Sequence, residues 1–328
     1  MTRYLLLLQY DGTDFCGWQR QKNGVSVQET VERALKTVFS VETTVTGSGR
    51  TDAGVSAAGQ VAHFDADLSV PPEKIAKALN GVLPPSVRVL KSEVAPEGFH
   101  ARFSAKQKTY VYTFYTAETE LPLLSRFAAR EIVFPHTERG SADRNCTPPA
   151  ESAAVSAEQN ITTKTGQNSD VNAGRNPGAN EAPNAAANCM ERSRKEGDVL
   201  DFPAMERAAK TLLGTHDFAA FSSTGSEVKD TVRTVYRSDL EAERLPREMG
   251  GGILYRYTVT GSGFLYNMVR IIAGTLITVG NHKRGEDVFL SAFSSGNRDD
   301  LGKTAKACGL ILRSVEYPAV FSDFSEKA

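Results

Sequence analysis

Apolar and polar positions along the chain alternate between two periods. Residues 4–10 form a nearly unbroken apolar run that ends at Asp11-Gly12, which predicts a buried first strand followed by a turn-rich segment, residues 11–21, carrying the only tryptophan, Trp18. From Val27 to Phe39 the apolar positions Val31, Ala34, Leu35, Val38 and Phe39 recur at helical spacing, and Ser26 with Glu29 offers a capping box. Residues 41–46 and 60–67 read as strands on either side of a glycine-rich loop. Pro72 opens a helix that Gly81 and Pro84-Pro85 close, and VRVLKSEV follows as a strand.

The same inventory returns later in the chain. The segment 98–115 runs out as an alternating aromatic strand, Met205, Ala208, Ala209, Leu212 and Leu213 mark a helix stopped by Gly214, and two runs around 231–245 and 253–264 predict a hairpin. GSGFLYNMVRIIAGTLITVG, residues 261–280, reads as one apolar helix, and residues 309–318 as a closing strand with a frayed tail beyond. Hairpins outnumber strict strand-helix-strand units, so the predicted class is α+β: two domains with mostly antiparallel mixed sheets flanked by helices. The expected division is an N-terminal domain over 1–100 and a C-terminal domain over 101–328. The second is interrupted at about 136–198, where Ala, Asn, Ser, Thr, Gly and Pro displace every periodic pattern and the stretch reads as a disordered insertion.

Composition narrows the function classes. The 328 residues are 40% hydrophobic and 23% charged, ordinary values for a globular chain with a sizeable core. The opening apolar run is too short for a signal peptide or a bilayer span, so a cytoplasmic protein is expected. Four scattered cysteines and five histidines show no metal-ligand spacing. The net charge of −1 announces no global basic field, although the insertion carries nine acidic and seven basic residues and leaves the remainder slightly positive. Positive charge is concentrated locally in GFHARFSAKQKTYVYTFY, where Arg102, Lys106 and Lys108 interleave with Phe99, Phe103 and Tyr110. That mixture suits a phosphate backbone with an unstacked base.

Two positions stand out chemically. GSGRTDAG, residues 47–54, sets Arg50 and Asp52 among glycines that permit close approach, although a hairpin turn with two solvated charges would use the same residues. Arg270 interrupts an almost wholly apolar segment, where a guanidinium requires either an anionic partner or a route to water. His216-Asp217 reads as a turn rather than a catalytic pair.

GSGRTDAGVSAAGQVAHFD resembles the catalytic motif of the tRNA pseudouridine synthase A family, and YDGTDFCGWQRQ, VQETVERAL, FHARFSAKQKTYVY, LLGTHDFAAF, GSGFLYNMVRIIAGTLITVG and GLIL follow in the family's order. The resemblance implies an isomerase, without metal or organic cofactor, that converts uridine to pseudouridine in the tRNA anticodon stem-loop (conventional nucleotides 38, 39 and 40). It also implies a homodimer and a pseudouridine synthase fold around a central RNA-binding cleft, with no membrane partner. By that resemblance Asp52 is the nucleophile, Arg270 its ion-pair partner, Tyr110 the ring that stacks on the target uracil and Arg50 the side chain that takes the place of the flipped base. Arg20, Arg102, Lys106 and Lys108 are assigned to phosphates by charge and position. Ser56 stands where the family commonly has histidine, which puts an RNA contact there in question. A glycosidase would pair two carboxylates, whereas Asp52 has no companion acid in its loop; a tRNA-binding protein without activity would leave Asp52 and Arg270 unexplained.

Overall fold

The computed structural model describes residues 1–133, 200–223 and 230–319. The insertion at about 136–198, Cys146, Cys189 and the expected frayed tail lie outside them. Among the described residues ten strands form one sheet: β1 (Thr2–Tyr10), β2 (Thr46–Gly47), β3 (Ser56–Ala66), β4 (Val87–Val94), β5 (Gln107–Thr116), β6 (Ala129–Arg130), β7 (Gly214–Asp217), β8 (Val232–Arg244), β9 (Ile253–Gly261) and β10 (Leu310–Glu316). Their order is β4-β1-β3-β10-β5-β9-β8-β7, with β2 on β3 and β6 on β5. Pairing is antiparallel except for β10 with β3 and β5 with β6, so the α+β class with a mostly antiparallel sheet holds. The expected boundary near residue 100 falls between β4 and β5, and strands from both sides of it join this sheet.

The helices among the described residues are α1 (Val27–Phe39), α2 (Pro72–Asn80), α3 (Phe202–Lys210), α4 (Met268–Gly280) and α5 (Val288–Ser295). Ser26 caps α1 by accepting the Glu29 amide at 3.1 Å, while the Glu29 carboxylate turns outward to Arg33 and Arg20, so half of the expected capping box forms. Pro72 opens α2 where its missing N–H costs nothing. β1 is buried from Tyr4 to Leu8 because it runs between β3 and β4 with its side chains in the core on both faces.

Three elements differ from the pattern. Of the strand expected at 41–46 only Thr46 pairs, with Gly47 added. Upstream, the Val45 amide is taken by Glu32 Oε1 at 3.0 Å and the Thr43 hydroxyl donates to the Asp65 carbonyl, which replaces ladder bonds with side-chain bonds. The helix expected from 261 starts at Met268: Gly261 still belongs to β9, the Ser262 amide bonds the Thr234 carbonyl, and Asn267 is left-handed at φ 61°. Gly214 opens β7 rather than ending α3, which stops at Lys210 with Thr211 at its cap.

β10 sets the geometry of the site. It lies parallel to β3, pairing Leu312 with Ala57, and antiparallel to β5, pairing Leu312 with Tyr110. Ala57, just downstream of the glycine loop, and Tyr110 are therefore two strand spacings apart, about 10 Å. Leu312 is wholly buried between them. Leu312→Ala is expected to cost about 2–5 kcal/mol in urea unfolding, whereas truncating the exposed Leu123 should change stability by less than about 0.5 kcal/mol.

Candidate active site

The loop from Gly47 to Gly54 is held from all sides. Trp18 covers Gly47 so closely that a Cβ there would sit 2.5 Å from the indole ring, and Lys108 roofs Gly49, where a Cβ would stand 2.9 Å from Nζ. The Lys108 ammonium donates to the Ser48 carbonyl at 2.7 Å and Gln60 donates to the Gly49 carbonyl at 2.9 Å, while the Ser48 hydroxyl donates to Gln60 Oε1. Further along, the Thr51 hydroxyl meets Tyr10 Oη at 2.8 Å and the Thr51 carbonyl accepts the Trp18 amide at 3.0 Å. Ser56, buried, accepts the Gly12 amide at 2.9 Å and so anchors the far end of the loop instead of facing a ligand.

Asp52 projects from this brace with 27% of its side chain exposed. Arg270 reaches it from the first turn of α4, Nη1 standing 3.7 Å from Asp52 Oδ2. Burial pushes the Asp52 carboxyl above the usual range and the Arg270 charge opposes that shift. Arg270 is itself anchored, Nε to the Ala305 carbonyl at 2.8 Å and Nη1 to Asn267 Oδ1 at 2.8 Å.

Tyr110 stands close enough to feel the Asp52 charge, only 7% exposed, its ring edge-on to Phe264 at 5.2 Å. Burial, with smaller contributions from Tyr10 and Asp52, raises its phenol far above neutral, so it stays protonated across the working range. Tyr112 and Phe114, the other members of the alternating strand, are core residues.

The remaining expected site residues separate into two groups. Arg50 is exposed two residues before Asp52, Lys106 is exposed, and Arg102 is exposed with its guanidinium 5.7 Å from the centre of the Phe103 ring, itself 76% exposed. Arg20 is exposed but already faces Glu29 at 3.6 Å and Glu32 at 3.4 Å. Lys108 departs from the expectation of a phosphate contact: its Nζ is turned inward to the loop backbone, and burial lowers its pKa to about 8. His216 and Asp217 hold local turns, through the Leu213 carbonyl and through the Ala219 amide with the Thr231 hydroxyl. Asn267 and Gln60 are site components that charge and spacing did not single out. No three His, Cys, Asp or Glu side chains among the described residues gather as a metal cluster, and no helix there is long and apolar enough to cross a membrane.

One desolvated carboxylate, opposed by a guanidinium and flanked by a buried aromatic, is chemically able to attack carbon or to stabilise a positive charge. The profile of the tRNA pseudouridine synthase family matches residues 7–104 and 208–318. The tRNA pseudouridine synthase A of Ruminiclostridium cellulolyticum is 34% identical over 317 residues, covering 97% of this chain and 100% of that protein. That of Clostridium acetobutylicum is 35% identical over 317 residues, with 97% and 100% covered, and that of an Exiguobacterium species 35% over 320 residues, with 98% and 100%. The chain belongs to the tRNA pseudouridine synthase family and is an isomerase.

Because the indole over Gly47 is rigid and buried, Gly47→Ala should destabilise the protein by roughly 1–3 kcal/mol. Gly49→Ala, which meets only the flexible end of Lys108, should cost less. Thermal unfolding of the two variants side by side checks the order.

Proposed function

We propose that the chain isomerises uridine to pseudouridine in the anticodon stem-loop of tRNA, at nucleotides 38, 39 and 40, with Asp52 as nucleophile. The observation that carries this reading is the placement of Asp52: at the tip of a braced loop, largely withdrawn from water, yet within 3.7 Å of a guanidinium that favours its anion. The reaction breaks the bond from the uracil nitrogen to the ribose and rejoins the ring through carbon 5, so the catalyst has to attack, hold and leave again. Both the ribose anomeric carbon and the uracil ring are open to a carboxylate, and the assignment of Asp52 is the same for either.

A paired or stacked uridine has to be turned out before Asp52 can reach it. In this reading Arg50, exposed beside the nucleophile, fills the vacated place, and Tyr110 stacks on the uracil. Lys106 and Arg102 contact phosphates, with Arg20 joining once tRNA competes with Glu29 and Glu32 for its guanidinium. Lys108 serves the loop instead. We also propose that the enzyme acts as a cytoplasmic homodimer, and that residues 1–100 and 101–328 act as two domains with the β3–β10 pairing as their seam.

Asp52→Asn keeps the shape of the side chain and removes its charge. It should bind tRNA nearly as the parent does while losing release of tritium from tRNA labelled at uracil carbon 5; tritium release by this variant would sink the nucleophile assignment. The salt dependence of tRNA binding separates the lysines. Lys106→Ala should flatten the slope of log affinity against log salt by about 0.7–0.9, whereas Lys108→Met should leave the slope unchanged and lower turnover.

A further inference from the structure

Arg270 is tied down on two sides before it reaches Asp52. Its Nε donates to the Ala305 carbonyl at 2.8 Å, and the Ala305 amide returns a bond of 3.0 Å to the Arg270 carbonyl, so side chain and backbone are fixed to the same residue. Its Nη1 donates to Asn267 Oδ1 at 2.8 Å. That same nitrogen is 3.7 Å from Asp52 Oδ2, beyond hydrogen-bond reach. A guanidinium only donates, so the Asn267 carbonyl oxygen must face it, which leaves the Asn267 amide nitrogen for Ser223 Oγ at 3.0 Å. Asn267 occupies the left-handed region, φ 61° and ψ 3°, which asparagine tolerates better than most residues with a side chain.

The two distances matter differently. Coulomb attraction falls slowly with separation, so a guanidinium at 3.7 Å still favours the carboxylate anion, whereas a hydrogen bond at that separation has faded. A short charge-assisted bond to a carboxylate stabilises its anion and draws electron density from it, which weakens it as a nucleophile. We propose that Asn267 is a positioning residue that holds Arg270 back, so that the guanidinium supplies charge to Asp52 without the short hydrogen bond that would blunt the carboxylate as a nucleophile. This rests on Asp52 being the nucleophile.

The consequence is legible in the pH profile. The titratable groups facing Asp52 are Arg270 from α4 and Tyr110 from β5; Arg270 also faces Tyr112 from β5. Burial raises both phenols far above neutral, so on the acid side of neutrality Asp52 is the group in this set that titrates. Its anion is the active form, so activity falls as pH drops through its pKa, and the acid limb of kcat/KM follows that pKa in the free enzyme.

Asn267→Gly keeps the left-handed backbone and removes the tether. Nη1 then closes on its next acceptor, Asp52: the acid limb should move to lower pH and kcat fall roughly 10- to 100-fold as the carboxylate becomes a weaker nucleophile, with KM for tRNA unchanged. Asn267→Asp, isosteric, places a rival anion on Arg270 and should move the limb to higher pH. Opposite shifts support the assignment. Shifts in one direction, an unmoved limb in both variants, or a rise in KM at constant kcat would overturn it, the last because Asn267 would then be contacting RNA. Asp52→Asn measured alongside separates the two levels: turnover in that variant overturns the nucleophile and this assignment with it, whereas a dead variant with an unmoved limb overturns this assignment alone.

Discussion

A carboxylate that is to attack carbon has to be stripped of water and still keep its charge. Those demands oppose each other, because burial favours the protonated acid. For Asp52, the nucleophile we propose, the conflict is met by one guanidinium nearby, and much of the surrounding structure serves to hold that pair in place. Arg270 is fixed by Ala305 and Asn267, and Asp52 by a loop whose backbone has its own anchors, so neither group is free to drift to a separation that would cap the acid or leave it unpaired.

The loop shows how such a constraint is imposed on irregular backbone. No strand runs through residues 48–54, and the stretch from Gly47 to Thr51 is instead gripped by side chains from β1, β3, β5 and the 11–21 turn: Tyr10, Gln60, Lys108 and Trp18. Each comes from a different stretch of sequence, which makes the position of Asp52 a property of the whole sheet. Glycine at 47 and 49 is the condition for that grip, since an indole and an ammonium occupy the space that two methyl groups would need.

How much of this could be read from the residues follows the range of the interaction. Helices α1 and α2 were legible to within a residue because caps and apolar spacing act within a turn. The need of Arg270 for an anionic partner was legible too, since a lone guanidinium in an apolar helix asks for one, although Asp52 as that partner was named by the family resemblance. Direction was hidden. Lys108 sits in a basic-aromatic run and counts there as a surface charge, and only the paths of β5 and the loop reveal that it points inward. The 261–280 segment was over-read as helix because Leu265 and Met268 keep helical spacing across a turn whose backbone reverses at Asn267; apolar spacing carries no sign of φ. Ser56 looked like a missing RNA contact and proved to be a buried anchor for Gly12.

The central place of β10 has a consequence for synthesis. The strand that joins β3 to β5 lies some 200 residues beyond β5, so β3, which follows the loop bearing Asp52, and the strand bearing Tyr110 have no shared neighbour in the sheet until the ribosome has passed Leu310–Glu316. Such long-range closure is slow and leaves two strand edges unpaired in the meantime. It also means that a polypeptide cut short before residue 310 has no strand to set β3 and β5 side by side, and with them the loop of Asp52 and the ring of Tyr110.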